Sequence, residues 1–91
     1  MTTLHMEVES ARSVQSNMMN THAQLTSLLQ TMNNSVNGLQ PSWLGNSATE
    51  FFAQYEQWRS TTTNLMDQLQ QLATRLQNEI TEWETMASKL A

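Results

Sequence analysis

Both glycines of this chain, Gly38 and Gly45, and its one proline, Pro41, fall between residues 38 and 45. The stretches on either side, residues 1–37 and 46–91, hold neither residue type. Proline removes a backbone donor and clashes with the preceding turn, and glycine loses the most conformational freedom in a helix. A chain that confines both to one place near its middle is therefore limited to two uninterrupted elements and one reversal. No polar–apolar alternation of period two lasts long enough to make a strand. The expected class is all-α: two long antiparallel helices in a helix-turn-helix hairpin.

Periodicity supports this reading. In the first half Leu4, Val8, Ala11, Gln15, Met18, His22, Leu25, Leu29, Met32, Val36 and Leu39 alternate spacings of four and three, which is the a/d seam of a heptad repeat. Gln15 and His22 are its polar members. In the second half Phe51, Tyr55, Trp58, Thr62, Leu65, Leu69, Leu72 and Leu76 keep the same alternation. Ile80, Trp83, Ala87 and Leu90 continue it after a one-residue phase step, because Glu79 stands where the strict repeat wants an apolar residue. A locally straighter helix absorbs such a step.

The ends of the elements carry their own chemistry. Gly38 can take the left-handed conformation that closes a helix, and Pro41 cannot continue one. Ser47 followed by Glu50 fits a capping box, with Ser47 as N-cap and Glu50 reaching back from the third position. The expected layout is one hairpin domain over 1–91: helix one about 4–37, a turn at 38–46, and helix two about 47–90. Each helix would be ~50–65 Å long at 1.5 Å per residue.

Two such rods cover each other along one face only. Val14, Met19, Leu28, Phe52, Met66, Ala73 and Met86 lie beside the seams, so each apolar stripe is wider than a two-stranded coil needs. A wide stripe suits a four-helix bundle, and two hairpins would supply it. A chain of 91 residues with no cysteine has no disulfide or thiolate-metal route to stability. A partner chain is the remaining route. The seam residues expected to build the dimer or bundle are Val8, Met18, Leu25, Leu29, Met32, Phe51, Tyr55, Trp58, Leu65, Leu69, Leu72 and Leu76. Homodimer and heterodimer are both open.

Several function classes are disfavoured. The four Lys and Arg residues are scattered among eight acids, so no basic cluster exists to neutralise phosphates and nucleic-acid binding is not expected. No apolar run is long enough to span a bilayer, and the acidic balance disfavours binding to a membrane surface. The opening MTTLHMEVES lacks the basic and apolar regions of a secretory signal peptide. No Glu-x-x-His pair accompanies His5 or His22, so no metal site or cofactor is expected. His22 and Gln15 read instead as seam residues that set alignment or partner choice. A slim bundle offers little depth for catalysis, and no catalytic constellation appears, so the chain is not expected to be an enzyme. Glu79, Glu82 and Glu84 near the end of helix two oppose the helix macrodipole. They form a solvated acidic face or, with Trp83 as apolar anchor, a docking patch.

Trp43 stands in the one break, between Pro41 and Gly45. Where two long helices reverse, the end of their seam is open to water, and Trp43 and Leu44 are large enough to fold back and plug it. The turn is equally a candidate recognition surface, since large aromatics recur at binding hot spots. Trp43-Leu44-Gly45 at the midpoint of a short helix-turn-helix chain, with Pro41-Ser42 before and Phe51, Phe52 and Tyr55 after, resembles the WXG-hundred family of early-secreted-antigen-like type VII secretion substrates. The resemblance covers the whole chain. It implies homodimers or heterodimers of hairpins packed as antiparallel four-helix bundles. It also implies synthesis in the cytoplasm and export without a cleaved signal peptide through an FtsK-type ATPase receptor. Members act as effectors, or as carriers that accompany other substrates. Many carry a Tyr-x-x-x-Asp/Glu export signal near the end of helix two. Here Tyr55 is followed at that spacing by Arg59, and Trp83 by Ala87, so a partner or another determinant would supply the signal. The alternative is a non-exported structural or adaptor hairpin of another assembly.

Overall fold

A computed structural model describes residues 6–90, apart from the side chain of Leu90. It contains helix α1 (Val8–Leu39, 32 residues), a 3-10 turn at Gln40–Ser42, and helix α2 (Asn46–Leu90, 45 residues). The two helices form an extended antiparallel hairpin measuring 69 × 18 × 16 Å. The expected seam position Leu4, with His5 and the expected start of helix one, lies outside the described residues.

The reversal differs from expectation in two places. Gly38 does not end α1, which runs through it to Leu39. Among the described residues only Gly45 has a positive φ, 116°. Pro41 sits in the first turn of the 3-10 segment, where its missing N–H is no loss. The Ser42 hydroxyl donates to the Leu39 carbonyl at 3.0 Å and the Trp43 N–H to the Gln40 carbonyl at 3.4 Å. These bonds satisfy carbonyls that the end of α1 leaves open.

The start of α2 is the second correction. The helix begins at Asn46, so Ser47 is not its N-cap and no capping box with Glu50 forms. The first acceptor is the Gly45 carbonyl, which receives the Thr49 N–H at 3.1 Å and the Thr49 hydroxyl at 3.2 Å. The physical cause is the glycine: its positive φ turns the chain straight into the helix and leaves Ser47 already inside the first turn.

One of the two rows of the α2 seam is displaced by one residue from expectation, while Tyr55, Thr62, Leu69 and Leu76 stand where expected. Ala48, Met66, Ala73 and Ile80 are buried, and Phe52, Tyr55, Arg59, Thr62, Leu69, Leu76 and Trp83 are half-buried. Their four-three alternation is unbroken, so the phase step expected near Glu79 does not occur. Phe51, Trp58, Leu65 and Leu72 lie outside the hairpin's own seam and are exposed. On α1 the half-buried row is Val8, Ala11, Gln15, Met18, His22, Leu29, Asn33 and Val36. Leu25 and Met32 lean outward instead. Each helix thus carries two apolar rows side by side. The row of α2 that meets α1 contains Ala48 and Ala73, at 3% and 0% exposure. Small side chains let helix axes approach, and Ala73 in place of Leu72, with Ile80 in place of the charged Glu79, favours this row over the other.

The resulting core is thin. Accessible surface totals 7139 Å², against ~5,400 Å² for a compact monomer of this mass by the usual size scaling. A stable interface takes about 800 Å² from each partner, so the excess is large enough to supply one.

Candidate interaction surfaces

With the hairpin's own seam lettered a and d, the residues just after d (position e) and just before a (position g) form two flanks on each helix. Arg12 follows Ala11 and Glu84 follows Trp83, so both are e residues, and the Arg12 guanidinium donates to the Glu84 carboxylate. This places the e flanks of α1 and α2 on one face. Thr26 and Asn33 of α1 share a groove there with Thr63 and Gln70 of α2, and the Tyr55 hydroxyl bonds the Asn33 side-chain oxygen. This face is polar. Its ion pair is exposed on both partners, and such pairs contribute about 0–1 kcal/mol.

The g flanks then lie together on the opposite face, which is apolar. From α2 it presents Phe51, Trp58, Leu65 and Leu72 at seven-residue intervals, then Glu79, then Met86. Leu65 and Leu72 are 58% and 56% exposed. From α1 it presents Val14 and Leu28, with Leu25, Met32 and Leu39 leaning toward the same side; all five are exposed. Of the residues expected in a dimer or bundle seam, Val8, Met18, Leu29, Tyr55, Leu69 and Leu76 hold the hairpin itself together. Leu25, Met32, Phe51, Trp58, Leu65 and Leu72 lie on the open face. Asn33 and Arg59, which the heptad reading passed over, stand in the inner seam. The unbroken four-three spacing backward from Ile80 through Met66 to Ala48 is the signal that identifies Arg59 as a seam residue.

At the bend Trp43 folds back onto the start of α2. Its ring lies 5.3 Å from that of Phe51 and 5.7 Å from that of Phe52, and the two phenylalanines are 5.4 Å apart in an edge-to-face arrangement. Such aromatic contacts contribute ~0.5–1.5 kcal/mol each beyond their burial. Leu44 does not join them: it is 86% exposed at the tip, because the extended backbone of Trp43 sends the next side chain outward. Gly45 is required by its φ of 116°. An added Cβ there meets nothing within 4 Å, so Gly45→Ala costs only backbone strain. A loss of about 1–3 kcal/mol is expected, read from urea unfolding midpoints; an unchanged midpoint would contradict it.

The expected docking patch does not come together as one surface. Glu84 pairs with Arg12 on the polar face, and Trp83 is half-buried in the seam. Glu79 lies on the apolar face with Glu82 at its rim. A rotation of ~100° per residue keeps Glu79 and Glu82 on one side of the helix but turns Trp83 into the seam and Glu84 to the other flank. Arg59 donates to Glu56 at 2.7 Å, and that bond and charge raise its guanidinium above its usual value. Among the described residues no group of His, Asp and Glu could hold a metal ion. Nor is any described helix long and apolar enough to cross a membrane.

No curated protein and no solved structure matches the chain. A family model does: WXG100, described as proteins of 100 residues with WXG, matches residues 3–89. Nearly the whole hairpin, with Trp43-Leu44-Gly45 at its bend, is covered by that match, and the chain belongs to the WXG100 family.

Proposed function

We propose that this chain is a small non-enzymatic substrate or carrier that pairs with a second hairpin and leaves the cell through a type VII machine driven by an FtsK-type ATPase. The family is one of type VII secretion substrates, small helical secreted proteins whose members pair as hairpin dimers. The observation that carries the reading for this chain is the open apolar face. Phe51, Trp58, Leu65 and Leu72 repeat every seven residues on the side away from the Arg12–Glu84 pair. A contiguous exposed apolar face of this kind marks an interaction site. Covering it with an equivalent face gives a four-helix bundle, in which the inner seams hold each hairpin and the g flanks hold the pair. The aromatic cluster at Trp43 closes one end of each hairpin and presents Leu44 to a receptor or partner.

Tyr-x-x-x-Asp/Glu does not occur in the chain, whose one tyrosine is followed at that spacing by Arg59. Export in company with a partner that carries the signal fits this best. The same observation favours the second reading, a retained structural or adaptor hairpin. Fractionation of native cultures separates the two. Export predicts the protein in the supernatant and its loss there when the FtsK-type ATPase is disabled. Retention in the cell under both conditions would contradict it.

A further inference from the structure

The chain has seven methionines and no cysteine, so thioethers are its only oxidisable sulfur. The fold divides them. Met66 is buried in the inner seam, and Met6 and Met18 are half-buried. Met19, Met32 and Met86 are open to water on nearly equal terms, at 41%, 47% and 48% exposure. Two of these three belong to the apolar face. Met86 resumes the g row of α2 toward the open end of the hairpin, and Met32 leans to that side from α1 in the half nearer the bend. The bond between Tyr55 and Asn33 sets Met32 near the level of Trp58. Met19 directly follows the seam residue Met18, so it is an e residue on the polar face with Arg12 and Asn33.

Hydrogen peroxide oxidises an exposed thioether in one step. The sulfur lone pair attacks one peroxide oxygen, an S–O bond forms, the O–O bond breaks, and the second oxygen leaves as water. Sulfur loses two electrons and the peroxide gains them. The product is a sulfoxide, which turns a flexible apolar side chain into a polar one. At Met19 the new oxygen stays in water at little cost. At Met32 and Met86 it must give up that water when the apolar face is covered, which is unfavourable. Covering the face also shields both sulfurs from oxidant. Pairing and oxidation therefore oppose each other, and the coupling runs equally in both directions.

We propose that Met32 and Met86 are oxidation sites that switch the apolar face off: peroxide converts them to sulfoxides in the unpaired hairpin and keeps it unpaired until they are reduced. The inference rests on the reading of this face as the pairing surface. Sedimentation equilibrium of the full chain before and after hydrogen peroxide, with sulfoxides located by peptide mass spectrometry, tests both. The oxidised wild type is expected to pair at least tenfold more weakly. Met32→Leu with Met86→Leu should keep its own Kd through the same treatment, whereas Met19→Leu should lose affinity as the wild type does. Leucine for methionine nearly conserves volume, and circular dichroism confirms that each variant, and each oxidised chain, is folded. Methionine sulfoxide reductases with dithiothreitol as reductant should restore the wild-type Kd. Oxidation of Met32 and Met86, but not of Met19, should slow as the protein concentration rises through Kd. Suppose Leu65→Glu breaks the pair. This inference then fails, and the pairing face stands, if Met32 and Met86 resist peroxide while Met19 is oxidised. It fails likewise if the doubly oxidised wild type keeps its Kd within twofold, or if the double leucine variant loses as much affinity as the wild type. If Leu65→Glu leaves association unchanged, or if the chain does not associate at all, both fail.

Discussion

Glutamate at both Leu65 and Leu72 is expected to abolish pairing while leaving the hairpin folded. The two leucines are more than half exposed in the isolated hairpin, so they contribute little to it and much to whatever covers them. Burying a leucine side chain is worth about 1.5–3 kcal/mol, and a carboxylate in its place must also be desolvated. Summed over two positions, the loss is at least ~4 kcal/mol, or roughly a thousandfold in Kd. Glutamate at Thr63 and Gln70, on the polar face of the same helix segment, is the matched control and should change Kd by less than about threefold, since exposed charges there interact weakly. Sedimentation equilibrium reads both. Equal effects on the two faces would mean that the variants act through the stability of α2 and not through a pairing surface.

Ile80→Ala should do the reverse, unfolding the hairpin whether or not a partner is present. Ile80 is fully buried and is the largest such side chain among the described residues. Removing a buried isoleucine to alanine costs about 2–5 kcal/mol through lost transfer energy and the cavity left behind. Its inner-seam neighbour one heptad away is Ala73, also fully buried, too short a side chain to fill the gap. With only a thin core, a loss of this size is a large share of the total. Chemical denaturation at fixed protein concentration measures it, since folding and association are linked by mass action. A change below ~1 kcal/mol would show that the inner seam is not where the hairpin's stability resides.

The architecture was legible because glycine and proline act locally. Pro41 and Gly45 interrupt a helix wherever they are placed, and their confinement to one segment left room for a single reversal. The detail at that reversal was less legible. Gly38 and Gly45 look equally able to adopt a positive φ, but only Gly45 does, and this choice moved the start of α2 ahead of Ser47. The inner seam was half legible. Tyr55, Thr62, Leu69 and Leu76 belong to both of the possible rows on α2 and were identified by either. The choice between Phe51-Trp58-Leu65-Leu72 and Phe52-Arg59-Met66-Ala73 is not a matter of periodicity, since both rows repeat every seven residues. Hydrophobicity over Phe51 to Leu72 favours the first row, yet close helix approach at Ala73 and the burial of Ile80 select the second; Ala48, one heptad before Tyr55, is common to both. The apparent defect at Glu79 was the clue: it interrupts only the outer row, while Ala73, Leu76, Ile80 and Trp83 run past it without a step.

The same distinction explains the interaction surfaces. The surplus of apolar residues was visible as an excess over what two rods can cover. Its segregation onto one face depended on knowing which row turns inward. The Arg12–Glu84 and Tyr55–Asn33 bonds then mark the opposite face as polar. Acidic crowding at Glu79, Glu82 and Glu84 suggested one patch in the linear sequence, but helical rotation assigns its members to different faces.

The most direct test of the pairing claim is the melting temperature of the purified chain as its concentration is raised from micromolar to about a hundred micromolar. Folding coupled to association predicts a rise of several degrees over that range, with a sedimenting mass that climbs toward twice 10.4 kDa. A sharp, heat-resistant transition that does not move with concentration, at the mass of a single chain, would contradict it.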